Sequence, residues 1–284
     1  MGRLAGKVAI ATGAAGGLGL AGVRAMAAQG AHVVMMDVSS AVRERARELA
    51  AEGFEVVPYT GDVSVEEDVA GVVELAQRSY GRLDVLWNNA ALLSPEWMLQ
   101  DTDVLHVSRD HLMRTLEVNV GGVFLGSKHA VPVMAASGGG SIINTSSVQA
   151  AGGDLTLVSY GTSKAAIEHL TRSVATSYGH LGIRCNAVVP GLIAPPSSPA
   201  AAERPHRLED IAPARLIRDS QMLDLPGDQA DVANTVVFLA SDESKFITGQ
   251  LIRVDGGVTG HLPTLADRRR LAGAAPTPLK AGLG

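Results

Sequence analysis

The sequence has few of the groups on which several broad classes of protein depend. Its single cysteine, Cys185, cannot form a disulfide within the chain. Charged residues make up only 19%, the formal net charge is −5, and no long run of one sign suggests a nucleic-acid-binding surface. The eight histidines form no metal-binding pattern, because no cysteine or carboxylate completes a ligand set around His106 and His111. We therefore expect no disulfide framework, no nucleic-acid partner and no metal site.

Long apolar segments are also missing. No stretch approaches the roughly 20 apolar residues that a membrane-spanning helix needs. The N-terminus leads into a strand-like run without the hydrophobic region of a signal peptide. From these absences we predict a cytoplasmic protein that does not bind membranes. What the chain does have, 46% hydrophobic residues and 32 glycines in 284, is typical of a globular domain with helices packed closely on a sheet.

Short apolar runs alternate with helical patterns along most of the chain. The predicted strands are 8–12, 32–36, 55–59, 83–87, 141–145, 183–189 and 250–254. The predicted helices are 18–29, 40–52, 66–80, 110–134, 160–178 and 229–240. Helices that recur between short buried strands require a parallel sheet covered on both faces. We therefore predict an α/β fold, a single doubly wound Rossmann domain over 1–261 with a seven-stranded parallel sheet and helices on both faces.

Three segments interrupt this alternation: 92–108, 191–226 and 262–284. Long connections in compact domains are usually binding loops or disordered. We interpret 191–226 as a loop that closes over a substrate, and 262–284 as a C-terminal tail outside the domain.

A glycine cluster follows the first predicted strand and opens the first helix. Gly13, Gly17 and Gly19 are spaced G-x-x-x-G-x-G. Glycines at such a turn let a pyrophosphate approach the backbone amides at the helix N-terminus, here including Leu18. A plain strand-to-helix turn also uses glycine, so the cluster alone does not decide between the two interpretations.

Acidic residues end the second and third predicted strands. Asp37 lies 18 residues after Gly19, where a carboxylate can accept hydrogen bonds from an adenosine ribose and repel a 2′-phosphate. The alternative is that Asp37 only forms a turn, but Gly16, Val38 and Ser39 offer no cation for a phosphate, which favours NAD over NADP. Arg43, a helical turn into the next element, is the one long basic side chain that would have to fold back to bind a phosphate. Asp62 and Val63 would contact the adenine or cap the next helix.

Tyr160 and Lys164 are four residues apart and so share one face of a helix. A tyrosine that exchanges protons near neutral pH needs its pKa lowered from about 10 by two to three units, about 3–4 kcal/mol. One positive charge at about 4 Å supplies about 4 kcal/mol at an effective dielectric of about 20. We therefore expect Lys164 to lower the pKa of Tyr160. The alternative is an exposed pair on a helix surface.

Taken together, these residues resemble the classical short-chain dehydrogenases/reductases, over about 7–261. The matching features are the glycine cluster within 12–19, the run Asn88, Asn89 and Ala90, Asn119, Ser147 thirteen residues before Tyr160, Lys164, the pair Pro190 and Gly191, and Asp255 with its two following glycines. Two positions depart from the family pattern. Ala91 replaces the usual glycine, and Pro195 replaces the usual threonine that follows Gly191.

The resemblance implies roles for individual residues. Ser147 would hold the substrate oxygen, Tyr160 would pass the proton, Lys164 would lower the tyrosine pKa and hold the nicotinamide ribose, and Asn119 would support a water-linked proton relay. The implied cofactor-binding residues are Gly13, Gly17, Leu18, Gly19, Asp37, Asp62, Val63, Asn89, Ala90, Tyr160, Lys164, Pro190, Gly191 and Ile193. The family also implies a homotetramer or homodimer, as do the predicted helices 110–134 and 160–178, which are apolar around much of their circumference.

The predicted function is that of an oxidoreductase that transfers a hydride between NAD(H) and a secondary alcohol or ketone. Apolar residues in 92–108 and 191–226 favour a hydrophobic or cyclic substrate. Arginines in the second segment leave an anionic substrate open. A protein that binds NAD(H) as a sensor or scaffold without turnover is the alternative, and the complete set Asn119, Ser147, Tyr160 and Lys164 favours catalysis. An epimerase or dehydratase usually has a larger C-terminal domain than the chain after Ile193 provides.

Overall fold

The structure, a computed structural model, describes residues 2–193 and 217–265. Its strands are β1 (Val8–Thr12), β2 (His32–Asp37), β3 (Val56–Thr60), β4 (Val85–Asn88), β5 (Gly140–Thr145), β6 (Ile183–Pro190) and β7 (Leu251–Val254). Its α-helices include α1 (Gly17–Ala28), α2 (Val42–Ala51), α3 (Glu66–Tyr80), α4 (Pro95–Met98), α5 (Arg109–Leu116), α6 (Gly122–Ala136), α7 (Val158–Tyr178) and α8 (Gln229–Ala240).

All seven strands form one parallel sheet in the order β3-β2-β1-β4-β5-β6-β7. The predicted doubly wound, seven-stranded fold is confirmed. The strand order reverses between β1 and β4, which are neighbours in the sheet although two strands separate them in the chain. In doubly wound sheets, ligands bind beyond the carboxyl ends of the strands at such a reversal point.

Each face of the sheet is covered by its own apolar layer. On one face, residues of α1, α2 and α8 pack around the buried Trp87, with Val23, Leu49 and Val236 among them. On the other face, residues of α3, α6 and α7 pack on Ile10 and its neighbours. Alternate residues of the central strands point to opposite layers, as expected for a parallel sheet buried on both sides.

The region predicted as one helix over 110–134 is divided in two. Between α5 and α6 the chain forms a π-helical turn, Glu117–Gly121, so the helical path continues with a wider turn at its centre. Such π turns are frequently found at functional sites. The short α4 within 92–108 was not predicted, and β4 begins two residues later than the predicted strand and ends one residue later.

Candidate active site

The glycine cluster forms a tight connection between β1 and α1. Gly13 has a left-handed backbone, φ 66°, and a Cβ there would lie 2.9 Å from the Cα of Ala90. A Cβ at Gly19 would lie 1.9 Å from the carbonyl oxygen of Gly13. No side chain caps the start of α1, and a Cβ at Gly16 or Gly17 would meet nothing within 4 Å. The loop therefore leaves space beside the first amides of a helix, which suits the pyrophosphate of a dinucleotide.

Asp37 lies at the end of β2 and faces this loop. Its Oδ2 accepts a hydrogen bond from the Ala15 amide (2.9 Å), and its Oδ1 accepts one from the Ser39 amide (2.9 Å). A carboxylate has about four acceptor positions on its two oxygens, so both oxygens can still accept bonds from a ribose. The structure thus places the carboxylate against the glycine cluster.

Thr12 joins the ends of β1 and β4. Its Oγ1 accepts hydrogen bonds from the amides of Asn89 (2.9 Å) and Ala90 (3.0 Å), and the Asn89 side chain donates to the Thr12 carbonyl (3.2 Å). Thr145, at the end of β5, donates to Asn89 Oδ1 (3.3 Å) and accepts from Trp87 Nε1 (3.0 Å). Asn89 and Ala90 are therefore fixed at the reversal point, beside the glycine cluster.

Asn119 lies in the π turn and is fully buried. Its Oδ1 accepts from the Leu92 amide (2.9 Å), and its Nδ2 donates to Ser163 Oγ (3.0 Å). Ser163 in turn donates to the carbonyl oxygen of Tyr160 (2.7 Å). Asn119 thereby connects the segment after β4 to the first turn of α7.

Tyr160 and Ser147 meet next to this network. Burial raises the pKa of the Tyr160 phenol, and its hydrogen bond with Ser147 acts in the opposite direction. Ser147 lies just after β5, and its Oγ accepts from the Gln149 amide (3.3 Å). The neighbouring Ser146 bonds instead to Glu168 on α7 (3.0 Å). Of the two serines, Ser147 is therefore the one bonded to the phenol.

Lys164 is buried one helical turn after Tyr160. Its ammonium donates to the carbonyl oxygen of Thr145 (2.8 Å) and lies 5.4 Å from the centroid of the Tyr160 ring. Burial lowers the pKa of Lys164 to about 8. Burial is the largest influence on the phenol in this structure, and the net shift of its pKa is upward. The expectation that Lys164 lowers the pKa of Tyr160 stays a prediction.

Asp62 and Val63 follow β3. Burial alone would raise the pKa of Asp62, but hydrogen bonds from Ser64 and Arg114 hold it below its ordinary value. Arg114 Nη2 lies 3.1 Å from Asp62 Oδ2. Val63 is buried against Gly122 of α6. This corner is therefore ordered by contacts with α5 and α6, while Asp62 remains at the carboxyl edge of the sheet.

Pro190 ends β6, and Gly191 follows it in close contact with the next strand. A Cβ at Gly191 would lie 2.8 Å from the Cα of Asp255, and Ile193 forms a parallel bridge with Gly227. These residues lie at the same edge as Ser147. Pro195, the rest of the predicted loop to 216 and the tail from 266 lie outside the described residues.

Side chains of the segments that follow β4 and β5 form contacts of their own. Gln149 donates to Asp154 (2.9 Å). Trp97, on α4, stacks on His111 with ring centroids 4.2 Å apart and donates to Thr115 (3.1 Å). Trp97 thus helps to attach the segment after β4 to α5.

Three groups around the site were not predicted as functional: the Thr145 carbonyl, Ser163 and Asp101. The first carries no sequence signal, because every residue has a carbonyl. Ser163 lies within the Tyr160 to Lys164 run, and its position beside Lys164 was the available signal. Asp101 is distant in sequence from α7, which it contacts, and no pattern joins them.

The described residues contain no helix long and apolar enough to cross a membrane. Within the same parts of the chain, no group of three histidine, cysteine or acidic residues is arranged to hold a metal ion.

Comparison with known proteins identifies relatives over nearly the whole chain. The chain is 40% identical over 279 residues to a short-chain type dehydrogenase/reductase of Bradyrhizobium diazoefficiens, covering 97% of this chain and 95% of the relative. It is 35% identical over 269 residues to the 7alpha-hydroxysteroid dehydrogenase of Bacteroides fragilis (93% and 99% covered). Identity to the cis-4-hydroxycyclohexanecarboxylate dehydrogenase of Sinomonas cyclohexanicum is 37% over 253 residues (89% and 96% covered).

A crystal structure of a short-chain dehydrogenase/reductase from Burkholderia xenovorans superimposes with a TM-score of 0.81 at 32% identity, covering 92% of this chain and all of that chain. A family model described as enoyl-(acyl carrier protein) reductase matches residues 13–259. The model match spans most of the chain, and the relatives share both its length and its fold. This chain belongs to the short-chain dehydrogenase/reductase family.

Proposed function

We propose that this protein is an NAD-dependent dehydrogenase/reductase that transfers a hydride between NAD(H) and a secondary alcohol or ketone. One observation carries the proposal: Ser147, Asn119 and the α7 pair Tyr160 and Lys164 come from three parts of the chain, and the hydrogen bonds described above bring them together at the carboxyl edge of the sheet. A protein that only senses NAD(H) would not need this arrangement of proton-transferring groups.

The chemistry of the site divides between the cofactor and the chain. When bound, the oxidised nicotinamide accepts the hydride and adds a positive charge near the phenol. Ser147 would hold the substrate oxygen, and Tyr160 would take the alcohol proton in oxidation or donate it in reduction. Lys164 would bind the nicotinamide ribose and favour the phenolate. Asn119 would support a proton relay behind Tyr160.

The space around the glycine cluster supports a dinucleotide, and Asp37 supports NAD as that dinucleotide. Gly13, Gly17, Leu18 and Gly19 would bind the pyrophosphate, and Asp37 the adenosine ribose. Asp62 and Val63 would contact the adenine. Asn89, Ala90, Pro190, Gly191 and Ile193 would line the nicotinamide half. Metal chemistry is not part of the proposal.

We propose a hydrophobic, cyclic secondary alcohol as substrate, bound under the loop 191–226. The named relatives that act on a hydroxysteroid and on a hydroxycyclohexanecarboxylate support a ring-bearing alcohol. Leu93, Met222 and Leu223 are exposed apolar side chains in segments that follow β4 and precede α8. Apolar residues exposed beside a polar site favour a hydrophobic ligand.

The protein is further proposed to be a homodimer or homotetramer. Met113 on α5 and Phe124 on α6 are exposed on the outer side of the long helical path. Large apolar side chains exposed on the outer helices are the residues that a second copy would cover.

Two measurements test the proposed function. The first is a panel of steroidal, monocyclic and terpenoid alcohols with NAD⁺, followed by NADH absorbance, with small sugar alcohols and an enoyl thioester (the latter with NADH) as contrasting substrates. We expect turnover of at least one ring alcohol. A clear preference for small carboxylated alcohols or sugar alcohols over the ring alcohols would contradict the substrate class, and use of the enoyl thioester alone would contradict the reaction.

The second measurement is the variant Tyr160→Phe, which removes the phenol hydroxyl and keeps the ring. We expect turnover to be abolished while NADH binding, followed by fluorescence, stays within a few-fold of wild type. Retention of more than about a tenth of wild-type activity would exclude Tyr160 as the proton donor.

A further inference from the structure

Helix α7, which carries Tyr160 and Lys164, begins without a capping side chain of its own. Its N-cap residue, Leu157, has a side chain without an acceptor group and adopts a left-handed backbone, φ 63°. Among the described residues, Leu157 is the one non-glycine residue with a positive φ. This conformation costs about 1–2 kcal/mol for an L-residue, so other contacts must hold it.

Asp101 supplies the missing cap from a distant part of the chain. Its Oδ1 accepts a hydrogen bond from the Ser159 amide (2.9 Å), and its Oδ2 accepts one from the Tyr160 amide (2.8 Å). Its backbone carbonyl accepts from the Leu157 amide (2.8 Å). Asp101 is 2% exposed. A single buried residue thus satisfies three amides at the start of α7.

These contacts have the chemistry of an N-cap. The first amides of a helix have no partners within the helix, and an N-cap side chain normally accepts from the second and third of them. Ser159 and Tyr160 occupy those two positions of α7. The carboxylate also lies at the positive end of the helix dipole, where a negative charge is stabilising.

The two peptide groups that flank the Cα of Tyr160 are consequently both held. Its N–H is held by Asp101, and its carbonyl oxygen accepts from Ser163, which is bonded to Asn119. Asp101 itself lies three residues after α4, in the segment between β4 and α5 that we propose as part of the substrate pocket. The same residue therefore connects this pocket segment to the backbone of the proposed proton donor.

We propose that Asp101 is a positioning residue that sets the place of Tyr160 relative to Ser147 and the substrate. This inference rests on the proposed function, because it assigns proton transfer to Tyr160. Small displacements of a reacting group cost large factors in rate, about a hundredfold for 1 Å. The effect of losing the cap should therefore appear in kcat rather than in cofactor binding.

The test compares Asp101→Asn with Asp84→Asn in the full chain. An asparagine has one acceptor oxygen, so its NH₂ group would face the N–H of either Ser159 or Tyr160. Asp84 is a matched control: it is also a buried carboxylate that accepts a backbone amide, that of Val8 (2.9 Å), but it precedes β4 and so lies at the opposite edge of the sheet.

For Asp101→Asn we expect kcat for the best alcohol to fall at least about tenfold, with KM for NAD⁺ and NADH binding within about twofold of wild type. Asp84→Asn should lose thermal stability and keep its kcat. A wild-type kcat in folded Asp101→Asn would overturn the proposal. An equal loss of kcat in Asp84→Asn would also overturn the proposal. A loss of NADH binding that accompanies the loss of kcat in Asp101→Asn would do the same.

A second readout needs no substrate. With 3-fluorotyrosine at the four tyrosines of the chain, the ¹⁹F resonance of residue 160 is the one missing from Tyr160→Phe. We expect that resonance to shift in Asp101→Asn and not in Asp84→Asn; an unchanged resonance would overturn the positioning role. If the wild type turns over no alcohol, the proposed function fails, while this comparison still decides whether Asp101 positions Tyr160.

The variant Asp101→Glu carries the test if Asp101→Asn does not fold. It keeps the charge and both acceptor oxygens but displaces them by one methylene group. We expect a shifted Tyr160 resonance together with a kcat reduced at least about tenfold. An unshifted resonance, or a shifted one with wild-type kcat, would overturn the proposal.

Discussion

At the end of β2, the Asp37 carboxylate accepts hydrogen bonds from two backbone amides, those of Ala15 and Ser39. A 2′-phosphate would bring about two further negative charges to the same place. We expect NAD(H) to be preferred over NADP(H) by at least about a hundredfold in kcat/KM, about 2.7 kcal/mol, and Asp37→Ala to narrow that ratio. Steady-state kinetics with both cofactors measure the ratio of the two kcat/KM values in the wild type and in the variant. Equal use of NADPH by the wild type, or an unchanged ratio in the variant, would show that Asp37 only forms a turn.

Arg43 provides the control for this prediction. Its Nε donates to Thr60 Oγ1 (3.1 Å), and Thr60 pairs with Asp37 across β2 and β3. Arg43 is therefore the cation that would reach a 2′-phosphate. If it does so once Asp37 is removed, the double variant Asp37→Ala/Arg43→Ala will use NADPH less well than Asp37→Ala alone.

A second prediction concerns the effect of the buried Lys164 on the pH dependence of stability. Its pKa in the folded chain is about 8, below the ordinary 10.5. Burial of the ammonium therefore costs on the order of 3 kcal/mol, in full below about pH 8 and not at all above about pH 10.5. Lys164→Met removes this cost but leaves the Thr145 carbonyl without its donor. We expect the stability of the variant relative to wild type to decrease as the pH rises from 8 to 10.

Urea unfolding at pH 7 and pH 10 measures that difference, with Lys245→Met as an exposed control. The same relative stability at both pH values would contradict the burial cost. Lys164→Met should also lose turnover and bind NADH more weakly, because the ammonium is assigned to both tasks.

The sequence predicted the identity of several site residues, but it did not predict their pKa values or their tertiary contacts. Tyr160 and Lys164 followed as candidates from their spacing, because residues four apart on a helix are neighbours, whereas Ser147 followed from the family resemblance. The pKa of Tyr160 did not follow, since it depends on how far the fold removes the phenol from water. Asp101 could not be found for a related reason: its contact with α7 exists only in the tertiary structure.

Among the elements, α1 lies unusually close to the sheet at Gly22. A Cβ at this position would lie 2.1 Å from Cζ3 of Trp87, a fully buried side chain. We predict that Gly22→Ala forces α1 away from β4, lowers the free energy of unfolding by about 1–3 kcal/mol and weakens NADH binding, because the glycine cluster leads into the same helix. Urea unfolding and NADH fluorescence titration measure the two effects.

Gly121→Ala is the matched control for that substitution. Gly121 is also helical, but the nearest atom to its Cβ would be 3.9 Å away, at the Leu116 carbonyl. Alanine there should be neutral or stabilise the chain by up to about 1 kcal/mol, the usual difference in helix propensity. Equal stability of the two variants would show that the Gly22 contact relaxes at no cost.

The predicted bounds of some helices agree with the structure and those of others do not, for physical reasons. Helices α3 and α8 begin and end where the sequence predicts, because α3 has three acidic residues in its first turn and a left-handed Gly81 after its last, and Asp228 and Asp231 form a capping box on α8. The π turn at Glu117–Gly121 was not predicted, since no residue type marks a wider turn inside an apolar helical pattern.

At the scale of the whole molecule, we predict a dimer or tetramer that buries Met113 and Phe124. Light scattering over a range of concentrations should give at least twice the chain mass of 29.4 kDa. Phe124→Lys should shift the assembly toward the monomer, because it places a charge in an apolar contact. A monomer mass at all concentrations of the wild type would contradict the prediction.

The π turn also determines the rotational phase of the helical path that crosses the molecule. An α-helix advances about 100° per residue, so His111 and Met134 would point about 140° apart on an uninterrupted helix. One residue accommodated in the wider turn reduces that difference to about 40°, and both side chains are in fact buried. The path can therefore bury its apolar side over its full length and still leave Asn119 at the wider turn, bonded to Leu92 and Ser163. The number of residues in this path is consequently fixed. Removing one residue would rotate either α5, which holds Trp97, or α6, which covers the sheet, and so turn its buried side toward solvent.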